Sequence, residues 1–463
     1  MLTLYISNNK LGVIILNKTY NEIFKTLIKS FYEDNFENKV QELLSKDNIN
    51  KTEFSSIISS LCGVQVDFSH NYIEDLKKAI LSYEANHKIV NKVKCCTMDC
   101  ADESGKTRCQ ASCPFDAILI DNKLNTTYID NDKCTDCGFC VDACPSGALM
   151  DKVEFIPLLN LLKGNSTVIA AVAPAITGQF GENVNVDKLR TAFKKMGFAD
   201  MVEVAFFADM LTLKEAIEFD EHVKTKEDLM ITSCCCPMWV GMVKKVYHNL
   251  VKHVSPSISP MIAAGRILKE LNPNCSVVFV GPCIAKKGEA KDKDLLGDID
   301  YVLTFSELKD IFDTLNIDPE KLQEDVSTEY ASKGGRLYAR TGGVSIAIGE
   351  VIERLFPEKY NLLDAVQGNG VKECKELLTK AQNGEVNANF IEGMGCVGGC
   401  VGGPKSLIDA SSGKRRVDEF AENSKIKVAI DSDCMHEILS RIGINTANDF
   451  KDKNKTKIFH REF

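Results

Sequence analysis

From about residue 151 onward, short apolar runs alternate with longer segments whose apolar residues recur every three or four positions. The strand-sized runs are Thr167–Ala173, Val202–Phe207, Val277–Val280 and Tyr301–Phe305. The helical segments include Val186–Lys195, Leu213–His222 and Pro260–Leu271. This alternation predicts mainly parallel sheets covered by helices. Functional loops are therefore expected at the carboxyl ends of the strands.

The chain on either side of this part has a different pattern. Residues 1–90 predict a small α/β or helical docking domain of unknown role. The expected strands are Leu2–Ile6 and Gly12–Leu16, and the expected helices include Tyr20–Tyr32 and Tyr72–Tyr83. Residues 91–152 are rich in cysteine and turn residues, with two candidate strands, Ile118–Ile120 and Thr127–Ile129. After a large domain at 153–424, residues 425–463 predict a strand and a helix that pack on it, Lys427–Ile430 and Asp433–Ile442.

Composition narrows the class of protein. The formal net charge of −9 over 463 residues makes general nucleic-acid binding unfavourable, because phosphate would be repelled. The apolar stretches are strand-sized, far below the roughly 20 residues of a spanning helix. The N-terminus lacks the basic and apolar regions of a secretory signal, so we expect a cytoplasmic protein without membrane association. Nineteen cysteines in a reducing compartment favour metal thiolates over disulfides.

Eight cysteines form two ferredoxin-like runs. The first is Cys96-x3-Cys100-x8-Cys109-x3-Cys113-Pro114, and the second is Cys134-x2-Cys137-x2-Cys140-x3-Cys144-Pro145. In such runs the fourth cysteine ligates the other cluster. The pairing predicts one [4Fe–4S] cluster on Cys96, Cys100, Cys109 and Cys144, and another on Cys134, Cys137, Cys140 and Cys113. Cys95 remains an alternative to Cys96, and a pair of zinc knuckles is disfavoured because histidine ligands are lacking.

Three further cysteine motifs lie in the large domain, at 232–239, 281–289 and 390–404. They read Thr-Ser-Cys-Cys-Cys-Pro-Met-Trp, Gly-Pro-Cys-Ile-Ala-Lys-Lys-Gly-Glu and Phe-Ile-Glu-Gly-Met-Gly-Cys-Val-Gly-Gly-Cys-Val-Gly-Gly-Pro. The last also contains Gly393-x-Gly395-x-x-Gly398, a formal dinucleotide fingerprint with Asp418 about 20 residues on. Because this match falls on two cysteines, a cluster is the favoured interpretation. The glycines are expected to let the backbone approach a bulky inorganic group.

These three motifs resemble the signatures of the [FeFe]-hydrogenase catalytic domain. The resemblance implies an α/β fold of two mainly parallel lobes, preceded by an α+β ferredoxin-like domain, with an H-cluster between the lobes. That cofactor is a [4Fe–4S] cubane joined to a two-iron subsite carrying CO, cyanide and azadithiolate. By match, Cys400 bridges the two parts, and the cubane ligands are Cys236, Cys283, Cys396 and Cys400.

The resemblance also implies roles for residues around the subsite. Lys286 corresponds to a lysine that hydrogen-bonds cyanide, whereas Lys287 is expected at the surface. Met394 corresponds to a pocket methionine. Three residues are expected to support the cofactor: Ala173, Pro174 and Glu289. Tyr338 departs from the usual phenylalanine of a pocket loop, and Gly393 and Gly395 make the third motif smaller than usual.

A proton path follows from the same resemblance. Three consecutive cysteines stand where the family has two, so Pro237 and Trp239 set the register, which makes Cys236 the ligand and Cys235 the relay thiol. The same register gives the remaining relay groups as Glu215, Ser255 and Glu218, with His222 at the position of an outer arginine. Of the cysteines without a role, a buried apolar position is expected for Cys62, Cys95, Cys234, Cys275, Cys374 and Cys434.

The resemblance implies a hydrogenase that reversibly interconverts protons, electrons and dihydrogen. Its partners would be dihydrogen and protons, a ferredoxin or similar low-potential carrier, and maturation enzymes for the diiron subsite. Two rivals remain. One is a dihydrogen or redox sensor built on the same domain, and the other is a protein with cubanes alone that acts in cluster assembly or electron transfer.

Overall fold

The computed structural model describes residues 10–47, 49–85, 88–233, 235–328 and 330–463, without the side chains of 10–18. The chain divides into two compact units. Unit 1 consists of Met1–Asn165 with Glu307–Ile317, and unit 2 of Ser166–Ser306 with Asp318–Phe463. No helix in the described ranges is both long and apolar enough to cross a membrane.

The helices and strands of the described residues are numbered in chain order. The helices are α1 Lys10–Tyr32, α2 Phe36–Leu44, α3 Lys51–Leu61, α4 Tyr72–Leu81, α5 Arg108–Ser112, α6 Phe139–Ala143, α7 Phe155–Leu162, α8 Val186–Met196, α9 Val204–His222, α10 Pro237–Lys245, α11 Pro260–Leu271, α12 Ala285–Glu289, α13 Phe305–Leu315, α14 Lys333–Leu337, α15 Gly343–Leu355, α16 Pro357–Tyr360, α17 Val371–Gln382, α18 Ala410–Glu422 and α19 Asp433–Arg441. The strands are β1 Val90–Lys92, β2 Ile118–Asp121, β3 Thr126–Ile129, β4 Leu149–Asp151, β5 Thr167–Val172, β6 Asp200–Glu203, β7 Met230–Ile231, β8 Cys275–Gly281, β9 Tyr301–Thr304, β10 Ala365–Asn369 and β11 Phe390–Met394.

Unit 1 begins with packed helices. Helix α2 contacts α1, α3 and α4, and its apolar face buries Val40 fully. The predicted strand Gly12–Leu16 is wrong, because this segment lies inside α1. Neither proline nor glycine separates Leu16 from Tyr20, so the following helix extends back through the apolar run. The predicted strand Leu2–Ile6 lies outside the described residues.

The cysteine-rich part of unit 1 is built from two small antiparallel pairs. Strand β1 pairs with β4, and β2 with β3, so the two predicted short strands are confirmed. The five-residue helices α5 and α6 pack together and each carries one cysteine, Cys109 and Cys140 respectively. With so few long apolar elements, the cysteine side chains occupy much of the centre of this module.

Unit 2 contains two parallel sheets. The first has the order β6-β5-β8-β9 and the second β10-β11-β7. The predicted α/β class with two mainly parallel sheets is therefore confirmed. The predicted strand Val202–Phe207 is wrong beyond Glu203, where α9 begins. Helix α9 is buried on nearly every side over its first four turns, and an all-apolar run does not distinguish such a helix from a buried strand.

The C-terminal segment of unit 2 differs from expectation at one element. Residues 427–430 were expected to form a strand, but a short 3-10 turn, Ala429–Asp431, occupies the position. The chain turns there because Ser432 caps α19, its hydroxyl accepting the Met435 backbone N–H. The final residues then pair with the stretch before α11, where Ser257 lies opposite His460 in an antiparallel bridge.

Candidate active site

The three cysteine motifs of unit 2 follow the carboxyl ends of parallel strands. Cys236 comes after β7 and is the N-cap residue of α10, while Cys283 lies between β8 and α12. Cys396 and Cys400 follow β11 in a tight loop. Because the carboxyl ends of parallel strands meet at one edge, two sheets supply thiols to one region.

Electrostatic interactions show which thiols lie near one another. Burial, together with the neighbouring thiolates of Cys236 and Cys400, raises the pKa of Cys283 to about 12. The pKa of Cys400 is instead lowered, first by a hydrogen bond from Cys235 and also by the charge of Lys286. The Gly395 backbone N–H donates to Cys236 Sγ at 3.4 Å. Cys396 is half-buried in the same loop.

A mostly apolar cavity of about 50 Å³ lies beside these thiols. It is lined by Ala173, Pro174, Ala175, Val204, Ala205, Ala208, Cys235, Pro260, Met261, Phe279, Lys286, Tyr338, Ala339 and Cys400. The ionisable groups that determine its chemistry are the thiols of Cys235 and Cys400 and the ammonium group of Lys286. A small anionic group could therefore find a single cation in otherwise apolar walls.

Lys286 is held at this cavity by two acceptors. Its Nζ donates to Glu289 Oε2 at 2.6 Å and to the Cys235 carbonyl oxygen at 3.1 Å. Burial lowers the pKa of Lys286, but Glu289 and the thiolates of Cys235 and Cys283 outweigh it, so that the pKa is raised. Lys286 therefore stays a cation. Lys287 was expected at the surface, and this is wrong, since its side chain is fully buried.

Cys235 contacts both the cavity and the neighbouring loops. Its Sγ lies 3.8 Å from Met394 Sδ and 3.8 Å from the Tyr338 carbonyl oxygen. The Tyr338 hydroxyl is paired with Thr212 Oγ1 at 2.8 Å. This hydroxyl is thus satisfied by α9 and adds no unpaired polar group to the cavity.

Glu215 on α9 is a fully buried carboxyl group. Thr232 Oγ1 donates to its Oε2 at 2.6 Å, whereas Oε1 has no hydrogen-bond partner among the described residues. Burial raises the pKa of Glu215 to about 7, and the charge of Glu218 adds to the rise. The Ser255 hydroxyl lies close enough to lower that pKa in part. A carboxyl group with one unpartnered oxygen and a pKa near neutrality can both accept and release a proton.

Four side chains form a closed ring next to Glu215. Lys214 donates to Glu218 Oε1 and, at 2.9 Å, to Ser257 Oγ. Ser255 Oγ donates to Glu218 Oε2 at 2.6 Å and lies 2.8 Å from Ser257 Oγ. The ring joins α9 to the stretch before α11, and it connects two of the residues predicted as relay groups.

Sequence reasoning missed several residues of this region. Lys214, only 2% exposed, and Ser257 complete the ring, and Thr232 orients Glu215. Glu392 is also buried, and its carboxylate accepts the backbone N–H groups of Gly342 and Ser345. A charged residue inside an apolar strand sequence, as Glu392 is in β11, is a signal that could have indicated this role.

Several glycines of the third motif are required by packing against other parts of the protein. A Cβ at Gly393 would lie 2.0 Å from Trp239 Cε3, and one at Gly399 would lie 2.6 Å from the Thr341 backbone nitrogen. Gly399 also has a φ of 89°, which favours glycine. These glycines allow close packing of the loop on other protein segments, so the expectation of an inorganic group in contact with them is not needed to explain them.

In unit 1, the thiols fall into two neighbouring groups. Cys113, Cys134, Cys137 and Cys140 line one small cavity. The thiol of Cys109 interacts electrostatically with those of Cys144 and Cys100. Cys96 faces Thr126 and Thr127, and Thr127 also hydrogen-bonds Cys109, whereas Cys95 is exposed.

The remaining cysteines fall into two classes. Cys62, Cys275 and Cys374 are buried as expected. The same expectation is wrong for Cys95 and Cys434, which are exposed, while Cys234 lies outside the described residues. Among the described residues, no three His, Cys, Asp or Glu side chains meet at the spacing of a single metal ion.

The residues present fit the iron–sulfur groups that the motifs indicate. Thiol-only donor sets, without histidine, are typical of iron–sulfur clusters. The cavity adjoining Cys400 has apolar walls, one fixed ammonium and a second thiol, which suits a compact group with anionic ligands. The fit rests on donor chemistry and on the cavity.

The family comparison covers the same segments. Residues 166–404 match the model of the iron only hydrogenase large subunit, C-terminal domain, and residues 127–150 match a 4Fe-4S binding domain. A solved structure of the [FeFe]-hydrogenase HydA1 from Chlamydomonas reinhardtii matches with a TM-score of 0.54 at 20% identity, covering 66% of this chain and 97% of that one. At that identity the structural match shows the fold.

Curated relatives include hydrogenases and assembly proteins. The chain is 27% identical over 390 residues to the NADP-reducing hydrogenase subunit HndD of Solidesulfovibrio fructosivorans, covering 73% of this chain but only 64% of the relative. It is 31% identical over 393 residues to iron hydrogenase 1 of Clostridium pasteurianum, covering 64% and 68%. It is also 24% identical over 348 residues to the cytosolic iron-sulfur assembly component 3 of Bos taurus, covering 62% and 73%.

Proposed function

Because the chain belongs to the iron-only hydrogenase family, we propose that it is a hydrogenase that interconverts protons, electrons and dihydrogen. One observation carries the proposal: a thiol lining the apolar cavity, Cys235, is accompanied by a buried carboxyl group with an oxygen unpartnered among the described residues, Glu215. An electron carrier needs no such proton-transfer groups. Their presence beside a cluster site supports chemistry that consumes or releases protons there.

The thiols and the ammonium group have distinct tasks in this proposal. A cubane would be held by Cys236, Cys283, Cys396 and Cys400. When bound, the cubane with its two-iron subsite supplies the redox chemistry of dihydrogen. Lys286, fixed by Glu289, offers its ammonium to an anionic ligand in the cavity. Ala173 and Pro174 line the walls, and Met394 contacts Cys235. The apolar walls exclude water from the reacting region.

Protons travel along side chains of unit 2. Glu218 passes a proton to Ser255 Oγ, and Ser255 passes one to the unpartnered Oε1 of Glu215. Glu215 then delivers a proton toward Cys235 Sγ, which faces the cavity. The raised pKa of Glu215, about 7, matches this exchange because neither protonation state is strongly favoured near neutrality. The reverse sequence releases protons.

Electrons are proposed to arrive from a ferredoxin-like carrier through two [4Fe–4S] clusters of unit 1. Maturation enzymes would supply the diiron subsite, and the setting would be the cytoplasm. The grouping of Cys113 with Cys134, Cys137 and Cys140, and of Cys144 with Cys100 and Cys109, supports the crossed ligand sets. Cys96 completes the second set.

The test is hydrogen evolution from reduced methyl viologen. The full chain is reconstituted anaerobically with iron and sulfide, then loaded with a synthetic diiron azadithiolate complex, and the protein with cubanes alone is the control. We expect evolution that depends on the diiron complex and falls at least about 100-fold in Cys235→Ala. Confirmed diiron loading without evolution would contradict the proposal and favour a sensor.

A second candidate is a protein with cubanes alone that acts in cluster assembly. The similarity to the Bos taurus assembly component favours it. The same preparation separates the two functions, because failure of the protein to take up the diiron complex would support the assembly role.

A further inference from the structure

The outer end of the proton relay adjoins the C-terminal segment. Ser257, a member of the Lys214–Glu218–Ser255–Ser257 ring, lies directly opposite His460 in an antiparallel bridge. Backbone hydrogen bonds flank the bridge: Ile258 N donates to the Phe459 carbonyl at 3.0 Å, and Arg461 N to the Pro256 carbonyl at 2.9 Å. Directly opposite residues of an antiparallel pair project their side chains to the same face. His460 therefore lies on the face from which Ser257 reaches the ring.

Charge interactions place the His460 imidazole within range of the ring. The ammonium of Lys214 and the carboxylate of Glu218 both act on it, from α9. Lys453 and Glu462 act on it from the C-terminal segment. Arg266 on α11 holds the backbone in place, its Nη1 donating to the His460 carbonyl oxygen at 2.8 Å. The imidazole thus faces two cations and two carboxylates while its main chain is fixed.

His460 also faces solvent. Together with residues of α11 and of the C-terminal segment it lines an open groove of about 820 Å³. Its side chain is half-buried, so one part can meet the ring and another can meet water. The groove provides the aqueous side that a proton-exchange group requires.

His222, the histidine that the sequence register favours, has a different environment. It is exposed on the last turn of α9, and its Nδ1 donates at 2.9 Å to the backbone carbonyl of Glu218. That hydrogen bond involves the main chain of Glu218, whereas the imidazole of His460 interacts electrostatically with the Glu218 carboxylate.

We infer that protons pass between solvent and the relay through His460 of the C-terminal segment, with Lys214 holding Glu218 in the ring beside it. Lys214 has only donors, so it orients the ring: Ser257 accepts from it, and Ser255 is left to donate to Glu218. Lys214 is thus a positioning residue, and His460 is the surface exchange group. Burial, aided by Lys214, lowers the pKa of His460, so the imidazole releases its proton readily near neutral pH.

The inference rests on the proposed function only where hydrogen evolution is measured. A measurement without the diiron complex therefore tests the inference by itself. Stopped-flow infrared spectroscopy follows the carboxyl band of Glu215 after a drop in pH, in the full chain with cubanes alone. The band is identified by its loss in Glu215→Gln. We expect His460→Ala to slow protonation of Glu215 about tenfold and added imidazole to restore the rate in a saturable way. His222→Ala is the matched control and should leave the rate within twofold.

The same variants are then compared in hydrogen evolution with the diiron complex. His460→Ala should lower kcat about tenfold without changing KM for methyl viologen, and imidazole should restore kcat. His460→Gln, which retains a polar side chain of similar size, should behave like His460→Ala without imidazole and guards against a folding defect. A slow Glu215 band in His460→Ala, with no hydrogen evolution by the wild type, would keep the inference and overturn the proposed function. Protonation of Glu215 at the wild-type rate, rescue that fails, or slowing in His222→Ala instead would overturn the inference.

Discussion

At the residue scale, the site depends on ionisable groups removed from water and given few partners. Glu215 has one satisfied and one unpartnered oxygen, and Lys286 has two acceptors in an apolar wall. Burial raises the pKa of Glu215 to about 7. Burial by itself would lower the pKa of Lys286, but the ion pair with Glu289 helps to outweigh it and keeps Lys286 charged. The same burial must cost stability when Glu215 ionises.

The pH dependence of stability tests this directly in Glu215→Gln. The folded pKa of Glu215, about 7, lies above its ordinary value of 4.5, so the folded state retains a proton that the unfolded state loses between these values. The preference of the folded state for protonated Glu215 contributes to the free energy of unfolding of the wild type below pH 4.5, and this contribution is lost as the pH rises to about 7. Relative to wild type, Glu215→Gln should therefore gain up to about 3 kcal/mol over that window and no more above it.

The measurement compares denaturant midpoints of wild type and variant at pH 5 and pH 8, under anaerobic conditions. The exposed Glu227→Gln serves as the control substitution. A stability difference between Glu215→Gln and wild type that is the same at both pH values would show that Glu215 ionises normally in the folded protein.

At the element scale, the loop after β11 is positioned by packing between elements. Trp239 of α10 is 1% exposed and lies against Gly393, and its indole Nε1 donates to the Thr232 carbonyl oxygen at 2.8 Å. One side chain thereby fixes the distance between the first and third cysteine motifs. The spacing of Cys236 relative to Cys396 and Cys400 follows from this contact.

Gly393→Ala tests the contact. The new Cβ would lie 2.0 Å from Trp239 Cε3, and overpacking of this kind should destabilise the protein by about 2 kcal/mol or more and displace the loop. Gly349→Ala is the control, because its Cβ would meet only Leu363 Cδ2 at 3.3 Å and alanine favours helix α15. Thermal unfolding together with iron content reports both effects. Normal stability and iron content in Gly393→Ala would contradict the packing account.

How far the sequence predicts this protein differs between elements. Strands β5, β8 and β9 of the first parallel sheet were predictable because each is a short apolar run between helical segments, whereas β6 was placed too late in the chain. Helix α9 was predicted only from Leu213, since its first half is apolar on all sides and has no period. The ring was not predictable as a whole. Lys214 and Glu218 are four residues apart on α9, but Lys214 reaches Ser257 and Ser255 reaches Glu218 across 43 and 37 residues of the chain, and no local pattern encodes such contacts.

At the scale of the whole molecule, the chain separates its tasks. The described thiols of the two ferredoxin-like runs belong to unit 1, whereas every side chain of the relay, from Cys235 to His460, belongs to unit 2. Electron and proton transfer therefore use different parts of the chain. This division means that proton chemistry can be measured without an external electron carrier.

The most direct measurement is isotope exchange between H2 and D2O by the full chain loaded with the diiron complex. The site should convert H2 and D2O into HD and HDO, with no net electron transfer. We predict HD formation that depends on diiron loading and falls at least about 100-fold in both Glu215→Gln and Cys235→Ala. Confirmed loading without HD formation would contradict hydrogenase chemistry at this site, and a wild-type rate in Glu215→Gln would contradict the proton relay.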